Sequence, residues 1–243
     1  MNMILYEDNH LLVVNKEAGQ IVQGDKTGDE PLSEYLKRFI KERDSKPGNV
    51  FMGVPHRLDR PVSGVAIFAK TGKSLERLNE MFRNNELQKR YWAIVKKRPA
   101  KDTALLIHYL LRNEKMNKSF ASLDPKPGAK EARLQYRLLA SAENYHLVEV
   151  QLFTGRHHQI RCQLAAIGCP VKGDLKYGAS RSNPDGSISL HARSVSFIHP
   201  VKKEEITIIA PVPAEPLWQY FETSQRCDLL SATKDKSGYI NNR

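Results

Sequence analysis

Short apolar runs alternate with polar segments along most of this chain, a pattern typical of β-strands joined by turns. The apolar runs 4–6 and 11–14 flank the turn-forming residues 7–10, which predicts a hairpin. The run 65–69 predicts a strand that ends near Lys70. Further strands are predicted at residues 88–95, 134–138, 145–152, 190–197 and 205–209.

Apolar residues recur at helical spacing in three other segments. The first is 32–40, with Pro31 close to its predicted start, and the second is 75–82. The third is 157–167, which ends at Gly168. Because strands and helices do not alternate regularly, we predict an α/β fold of the α+β type. Its large, mixed and mostly antiparallel sheet would be flanked by helices.

The length and composition fit one large domain. The chain has 243 residues, of which 40% are hydrophobic, enough for an extensive core. From about Thr223 the sequence is polar and has no clear period. We therefore predict a domain at 1–222, followed by a flexible tail at 223–243.

The net charge of +11, from 38 Lys and Arg against 27 Asp and Glu, indicates a polyanionic partner. A nucleic acid is favoured over a membrane surface, because no apolar run approaches the roughly 20 residues of a spanning helix. The N-terminus lacks the layout of a signal peptide. The three cysteines form no C-x-x-C pair and do not indicate a disulfide framework, so we expect a reducing cytoplasm.

No motif for a nucleotide cofactor is visible, since G-x-G-x-x-G and G-x-x-x-x-G-K-[ST] are both absent. His157, His158, Cys162 and Cys169 offer metal-ligating atoms, but they lack standard zinc spacing. We favour packing of these cysteines on the apolar face of a helix.

The segment 56–64, with the sequence HRLDRPVSG, is the strongest chemical signal. Asp59 lies between Arg57 and Arg60, which would keep its carboxylate ionised. Such a group suits a nucleophile or an anionic base better than a general acid. From these nine residues alone, a solvated loop of mixed charge is about equally compatible.

Three further segments carry chemistry-bearing residues. Tyr91 lies on the predicted strand 88–95, and Arg161 lies on the predicted helix after Thr154-Gly155-Arg156. The last segment is Leu190-His191-Ala192-Arg193. Each segment taken singly is equally compatible with a core tyrosine, a surface arginine or a buried strand histidine.

In this order, the segments resemble the RluA-type family of RNA pseudouridine synthases, over roughly residues 4–210. The matching motifs are ILYED at 4–8, LVVNKEAG at 12–19, HRLD at 56–59, TGRHHQIR at 154–161, GCPVKGD at 168–174 and YG at 177–178. The resemblance implies a catalytic domain with a central cleft, and an activity that isomerises uridine in RNA to pseudouridine. It implies no cofactor and no metal.

The resemblance also implies residue roles. Asp59 matches the family's catalytic carboxylate, which either attacks the substrate covalently or abstracts a ribose proton. Arg161 matches its basic partner, and Tyr91 matches the tyrosine that stacks on the base and helps to remove the C5 proton. The chemistry requires a base flipped out of its stack, and Arg57 matches the residue that fills the gap. The candidates for phosphate contacts are Arg60, Lys89, Arg90 and Arg156.

Some positions depart from the family pattern. Glu17 replaces a usual proline, Cys162-Gln163 follows Arg161 where x-His is frequent, Cys169 replaces a frequent histidine, and Val62 replaces a frequent threonine. These departures affect substrate details and local packing. Because the signature begins within five residues of Met1, we expect a short member without an S4 RNA-binding domain, and a monomer.

Three hypotheses follow from the sequence. The first is an RNA-modifying isomerase that acts on ribosomal RNA, transfer RNA or both. The second is a catalytically silent RNA-binding protein of the same fold, although pure binding does not need a flanked carboxylate. The third is a phosphate-processing hydrolase that uses Asp59 with a metal, which would require clustered carboxylate ligands that the sequence does not offer.

Overall fold

The structure is a computed structural model that describes residues 3–25 and 27–225. Three α-helices are named α1 (Leu32–Arg43), α2 (Gly72–Arg83) and α3 (Gln159–Ala166), and a short 3-10 helix spans Leu175–Tyr177. Residues 216–225 are also helical. The strands are β1 (Ile4–Glu7), β2 (Leu11–Lys16), β3 (Ser63–Ala69), β4 (Gln88–Val95), β5 (Thr103–Asn113), β6 (Lys118–Ser122), β7 (Lys130–Ser141), β8 (His146–Leu152), β9 (Leu190–Ile198) and β10 (Glu205–Ile209).

These strands form one sheet in the order β1-β2-β3-β9-β4-β8-β7-β5-β6, and β10 pairs with β9. Among the named strands, every pairing is antiparallel except that of β3 with β9. The parallel contact is short and joins Ser63 to His191 and Gly64 to Ala192. The prediction of a large, mostly antiparallel mixed sheet flanked by helices is therefore confirmed.

Strand β3 is buried on both faces, which explains why it reads as a continuous apolar run. Successive side chains of a strand point to opposite faces. Val65 and Ile67 pack in the cluster that contains α2, whereas Ala66 and Phe68 pack in the cluster that contains α1. The two helices therefore cover opposite faces of the strand that follows Asp59.

Strand β4 divides its side chains in the same way. Ala93 and Val95 share a core cluster with α3, whereas Trp92 and Ile94 pack with the helical residues 216–225. That helix crosses the boundary predicted at Thr223. The rest of the predicted tail, 226–243, lies outside the described residues.

Strands β5 and β6 were not predicted from the sequence. On β5, Leu106 and Leu110 are buried while Leu105, Ile107 and Leu111 are exposed. Because apolar residues occupy both faces, the period of two that identifies a half-buried strand is hidden. In the described part of the chain, no helix has the length and apolar character needed to cross a membrane.

Candidate active site

Asp59 lies in a turn just before β3, at the end of a segment that follows the free edge of that strand. Gly53 and Ala69 exchange two backbone hydrogen bonds of 2.8 and 2.9 Å. His56 continues the pairing through its side chain, because its Nε2 accepts the Ile67 backbone N–H at 2.9 Å. Burial lowers the pKa of His56 to about 3, so this nitrogen remains an acceptor at neutral pH.

The parallel junction of β3 with β9 brings Asp59 close to Tyr91. Gly64 has a φ of +112°, and a Cβ there would lie 2.3 Å from the carbonyl oxygen of Ala192, so only glycine fits. Ala192 in turn pairs with Tyr91 on β4. Burial and, after it, the negative charge of Asp59 raise the pKa of Tyr91, so its phenol is protonated at neutral pH.

Arg161 joins Asp59 to a second carboxylate, that of Asp174. Its Nη1 donates to Oδ2 of Asp59 at 3.1 Å, while its Nε and Nη2 donate to the two oxygens of Asp174 at 2.6 and 2.9 Å. Asp174 is 1% exposed, whereas the side chain of Asp59 is 32% exposed. The bidentate pair with Asp174 fixes the guanidinium plane, so that Nη1 points an N–H at Asp59.

Asp174 is a site residue to which sequence analysis gave no role. It belongs to a segment that matches the family, but nothing in its spacing indicates that it would pair with Arg161. The buried position of an acidic side chain is the signal that identifies it, because buried carboxylates in proteins are paired. That signal appears only once the fold is known.

His158 approaches the same oxygen of Asp59 from the start of α3. Its Nε2 lies 3.5 Å from Oδ2, and its Nδ1 lies 3.1 Å from the hydroxyl of Tyr177. Burial and, after it, the positive charge of Arg161 lower the pKa of His158 to about 2, so its ring is neutral. Its φ of +53° is left-handed, which costs a non-glycine residue roughly 1–2 kcal/mol. Backbone strain of this kind persists only where surrounding contacts hold the residue in place, and it is frequent at functional sites.

Three hydrogen bonds of the Gln159 side chain hold the turn that leads into α3. Oε1 of Gln159 accepts from Oγ1 of Thr154 at 2.8 Å and from the Arg156 backbone N–H at 3.0 Å. Its Nε2 donates to the Arg133 carbonyl at 3.1 Å. These bonds satisfy backbone groups at a helix start, where intrahelical partners are missing. They explain the threonine and glutamine of the 154–161 motif, whose turn delivers Arg161 to the site.

Lys16, at the end of β2, is a second residue to which sequence analysis gave no role. Its Nζ donates to the carbonyl oxygens of Glu17 at 2.9 Å and Arg60 at 3.2 Å. Burial lowers the pKa of Lys16 to about 7, although the negative charge of Asp59 opposes this shift. The bond to Arg60 ties the turn that carries Asp59 to the adjacent strand.

The two arginines that flank Asp59 differ in their surroundings. Arg57 is exposed and lies two residues before Asp59. Arg60 is held by the loop that precedes α1, where its guanidinium donates to Asp29 at 2.5 Å and to Asp25 at 3.5 Å. A phosphate that binds Arg60 would have to replace these carboxylates.

The three other predicted contact residues are spread over the sheet and the α3 turn. Lys89 lines a small cavity of about 20 Å³ that Tyr91 also lines. Arg90, the next residue on β4, points to the opposite face and pairs with Glu149 at 3.2 Å. Arg156 is exposed in the turn before α3, where its Nε donates to a backbone carbonyl of β7 at 2.9 Å.

Across the described residues, no three His, Cys, Asp or Glu side chains lie together as metal ligands. His157 and His158 stack with their ring centroids 3.8 Å apart. Cys162 is buried and donates to a backbone carbonyl of β6, and Cys169 is buried in the core beneath α3. The four residues considered for a metal are therefore engaged in packing and hydrogen bonds.

Comparison with known proteins identifies the family of this site. The family model described as RNA pseudouridylate synthase matches residues 10–166, a range that contains Asp59, Tyr91 and Arg161. Ribosomal large subunit pseudouridine synthase C of Buchnera aphidicola is 33% identical over 219 residues, which cover 87% of this chain and 67% of that protein. Ribosomal large subunit pseudouridine synthase D of Zymomonas mobilis is 31% identical over 222 residues, which cover 87% and 69%.

The fold agrees with these sequence matches. The solved structure of human RNA pseudouridylate synthase domain containing 4 superposes with a TM-score of 0.74 and covers 92% of both chains at 24% identity. The chain belongs to the RNA pseudouridylate synthase family, whose members are isomerases. It spans about two thirds of the length of the curated relatives described above.

Proposed function

We propose that this protein converts uridine to pseudouridine in large-subunit ribosomal RNA, with Asp59 as the reacting carboxylate. The N1–C1′ bond breaks, the uracil turns, and a C5–C1′ bond forms. C5 loses a proton and N1 gains one, so the product has the atoms of the substrate. The reaction needs no oxidant or reductant, and therefore no redox cofactor.

The observation that carries this proposal is the way in which the two oxygens of Asp59 differ in their polar partners. Both donors that approach it within the described residues, Arg161 and His158, contact Oδ2. No hydrogen bond from these residues reaches Oδ1, and the side chain is partly exposed. A carboxylate with one oxygen held and the other without a hydrogen-bond partner suits either addition to C1′ or removal of the C2′ proton.

Tyr91 supplies an aromatic ring close enough to Asp59 that, besides burial, the charge of that carboxylate raises its pKa. Because its phenol is protonated at neutral pH, it serves first as a stacking partner for the uracil ring. Extruding a nucleotide from its stack costs a few kcal/mol, and contact with an aromatic ring offsets part of this cost. We assign to Arg57, which is exposed and two residues from Asp59, the filling of the space that the base leaves.

The basic character of the chain supports an RNA substrate. A net charge of +11 provides cations for the phosphates around the extruded nucleotide. Arg57, Arg60, Lys89 and Arg156 are the proposed contacts near the site. Arg90 is left out, because its side chain points to the face of β4 opposite to Tyr91.

The test is release of tritium from RNA whose uridines are tritiated at C5. Unmodified large-subunit ribosomal RNA and transfer RNA transcripts would be compared, with wild type and Asp59→Asn. We expect release from ribosomal RNA by wild type only, while both proteins bind RNA. Release from transfer RNA alone would contradict the proposed substrate. No release from either RNA, by folded protein that binds both, would contradict the proposed activity.

The proposed role of Arg57 predicts a dependence on RNA structure. Arg57→Ala should lower kcat/KM about tenfold or more on a structured RNA, which corresponds to roughly 1.4 kcal/mol. The loss should be much smaller on a short unstructured oligonucleotide, since no stack needs to be refilled. Arg137→Ala is the matched control, because Arg137 is exposed and pairs with Glu149 on the face opposite to Tyr91. Equal losses on both RNAs would contradict this role.

A further inference from the structure

Two hydrogen bonds and one longer polar contact lead from β6 to Oδ2 of Asp59. The backbone N–H of Ser119 donates to the hydroxyl of Tyr177 at 2.8 Å, and this hydroxyl lies 3.1 Å from Nδ1 of His158. Nε2 of the same ring lies 3.5 Å from Oδ2 of Asp59. Both His158 and Tyr177 are buried, so their polar atoms depend on these partners.

The direction of each bond follows from the number of available protons. The Tyr177 hydroxyl accepts the Ser119 N–H, so its own proton is free to be donated to Nδ1 of His158. A neutral imidazole carries one proton, which is then on Nε2 and faces Asp59. The other tautomer would direct a lone pair at the carboxylate and leave the phenolic proton without its acceptor.

The ring of His158 is also held in orientation. His157 stacks on it at 3.8 Å, and His157 is itself fixed by Oγ of Ser119 at 3.0 Å and by Asn117 at 3.1 Å. The left-handed backbone of His158 keeps the side chain at the start of α3. The 3.5 Å between His158 Nε2 and Asp59 Oδ2 is long for a hydrogen bond. Hydrogen bonds at active sites are often long without substrate and shorten when substrate binds.

We propose that Tyr177 is a positioning residue for the reaction and acts through His158. It selects the imidazole tautomer that presents an N–H to Oδ2 of Asp59, which leaves Oδ1 as the reacting oxygen. Arg161 holds the same Oδ2 from the other side. The inference rests on the proposed function, because it assigns roles within that reaction.

The first test measures the tautomer directly, by ¹⁵N NMR of histidine side chains. We expect His158 to be protonated at Nε2 in wild type, and to populate both tautomers in Tyr177→Phe. Tyr136→Phe is the matched control, since it removes a tyrosine hydroxyl that has no hydrogen bond to His158 and donates instead to the backbone carbonyl of Lys101. An unchanged tautomer in folded Tyr177→Phe would overturn the proposal.

Kinetics provide the second readout. Tyr177→Phe should lower kcat about tenfold to a hundredfold and leave KM within about twofold, because the carboxylate rather than RNA binding is disturbed. A kcat within about twofold of wild type would overturn the proposal. An inactive wild type would instead contradict the proposed function, while the NMR measurement would still decide the link from Tyr177 to His158.

Tyr177→Phe leaves the Ser119 backbone N–H without its acceptor, which could prevent folding. Two variants at His158 therefore test the proposal independently. The amide nitrogen of Gln reaches the position of Nε2, whereas that of Asn reaches only the position of Nδ1. We therefore expect His158→Gln to keep more activity than His158→Asn. Asn tolerates the left-handed backbone better than Gln, so the order of stability should be the reverse. Activity that follows stability would contradict the proposal.

Discussion

Asp59 and Asp8 have similar neighbours but differ in their exposure and in how many hydrogen bonds their oxygens accept. Each lies close to a histidine Nε2 and to a basic side chain. The side chain of Asp8 is 12% exposed, and both of its oxygens accept hydrogen bonds. Oδ1 of Asp8 accepts the backbone N–H groups of His10 and Leu11 at 2.8 Å each, and Oδ2 lies 3.1 Å from Tyr6, Lys202 and His199.

The difference between them separates a carboxylate whose two oxygens both accept hydrogen bonds from one that has an oxygen without a hydrogen-bond partner among the described residues. Burial opposes ionisation of Asp8, but the backbone N–H groups of His10 and Leu11 outweigh it and lower its pKa. Asp8 therefore joins the β1–β2 turn to the β9–β10 turn and has no oxygen left for a substrate. In Asp59, among the described residues, only Oδ2 has polar partners, and the side chain is 32% exposed, so Oδ1 is left for a substrate.

The largest effect on this comparison is expected from Asp174→Asn. The change removes the buried one of the two carboxylates that pair with Arg161 and leaves only the partly exposed Asp59, which should destabilise the protein by about 3–5 kcal/mol. It should also release the guanidinium that holds Oδ2 of Asp59, and thereby lower kcat. Urea unfolding and tritium release measure the two effects.

Asp102→Asn is the control for this change, because Asp102 pairs with Arg98 at a position that is 70% exposed. An exposed pair contributes about 0–1 kcal/mol, so this variant should resemble wild type. Similar losses of stability in both variants would show that the buried pair has no special role in orienting Asp59.

Gly64→Ala should have the next largest effect. Its Cβ would meet the backbone of Ala192, and φ at this position is positive, so we expect a loss of about 2–3 kcal/mol together with a lower kcat. Gly72→Ala is the control, because Gly72 has no atom within 4 Å of an added Cβ and an ordinary φ. Thermal unfolding of the two variants checks the difference, and a stable, fully active Gly64→Ala would contradict the proposed junction.

The two aspartates also show what could be predicted from sequence. The short motif around Asp59 and the family resemblance predicted Asp59, Tyr91 and Arg161 as site residues. The structure brings Arg161, on α3, within 3.1 Å of Asp59, and Tyr91 close enough that, besides burial, the charge of Asp59 raises its pKa. Most strands were predicted because their apolar runs are bounded by turn residues. The roles of Asp174, Lys16 and Tyr177 were missed, because each depends on a contact between segments distant in sequence.

The two strands that were missed have a different cause. β5 carries apolar residues on both faces, and β6 has only five residues, so neither shows a clear period. Ser119 on β6 nevertheless contacts Tyr177 and His157. The strand β6, which sequence patterns did not predict, therefore contacts the residues that lie beside His158.

The smallest effect is expected from Glu7→Gln, next to Asp8. Hydrogen bonds, first that from Arg43 and then that from Lys70, outweigh burial and lower the pKa of Glu7 from 4.5 to about 2. Its stabilisation is therefore complete above about pH 4.5 and is lost as the pH falls toward 2. We expect Glu7→Gln to cost about 1–2 kcal/mol at pH 7, after screening is allowed for. Urea unfolding should show the gap to wild type narrowing between pH 5 and pH 3, and a constant gap would contradict this account.

The most direct test of the central claim combines Asp59→Asn and Asp8→Asn with two measurements on each. We predict that Asp59→Asn abolishes tritium release from ribosomal RNA and changes the free energy of unfolding by less than about 1 kcal/mol. We predict the opposite for Asp8→Asn, with release retained and stability lowered by about 1.5–3 kcal/mol, the contribution of hydrogen bonds to a charged group. Release that persists in Asp59→Asn, or that is lost in folded Asp8→Asn, would contradict the assignment of Asp59 as the reactive carboxylate.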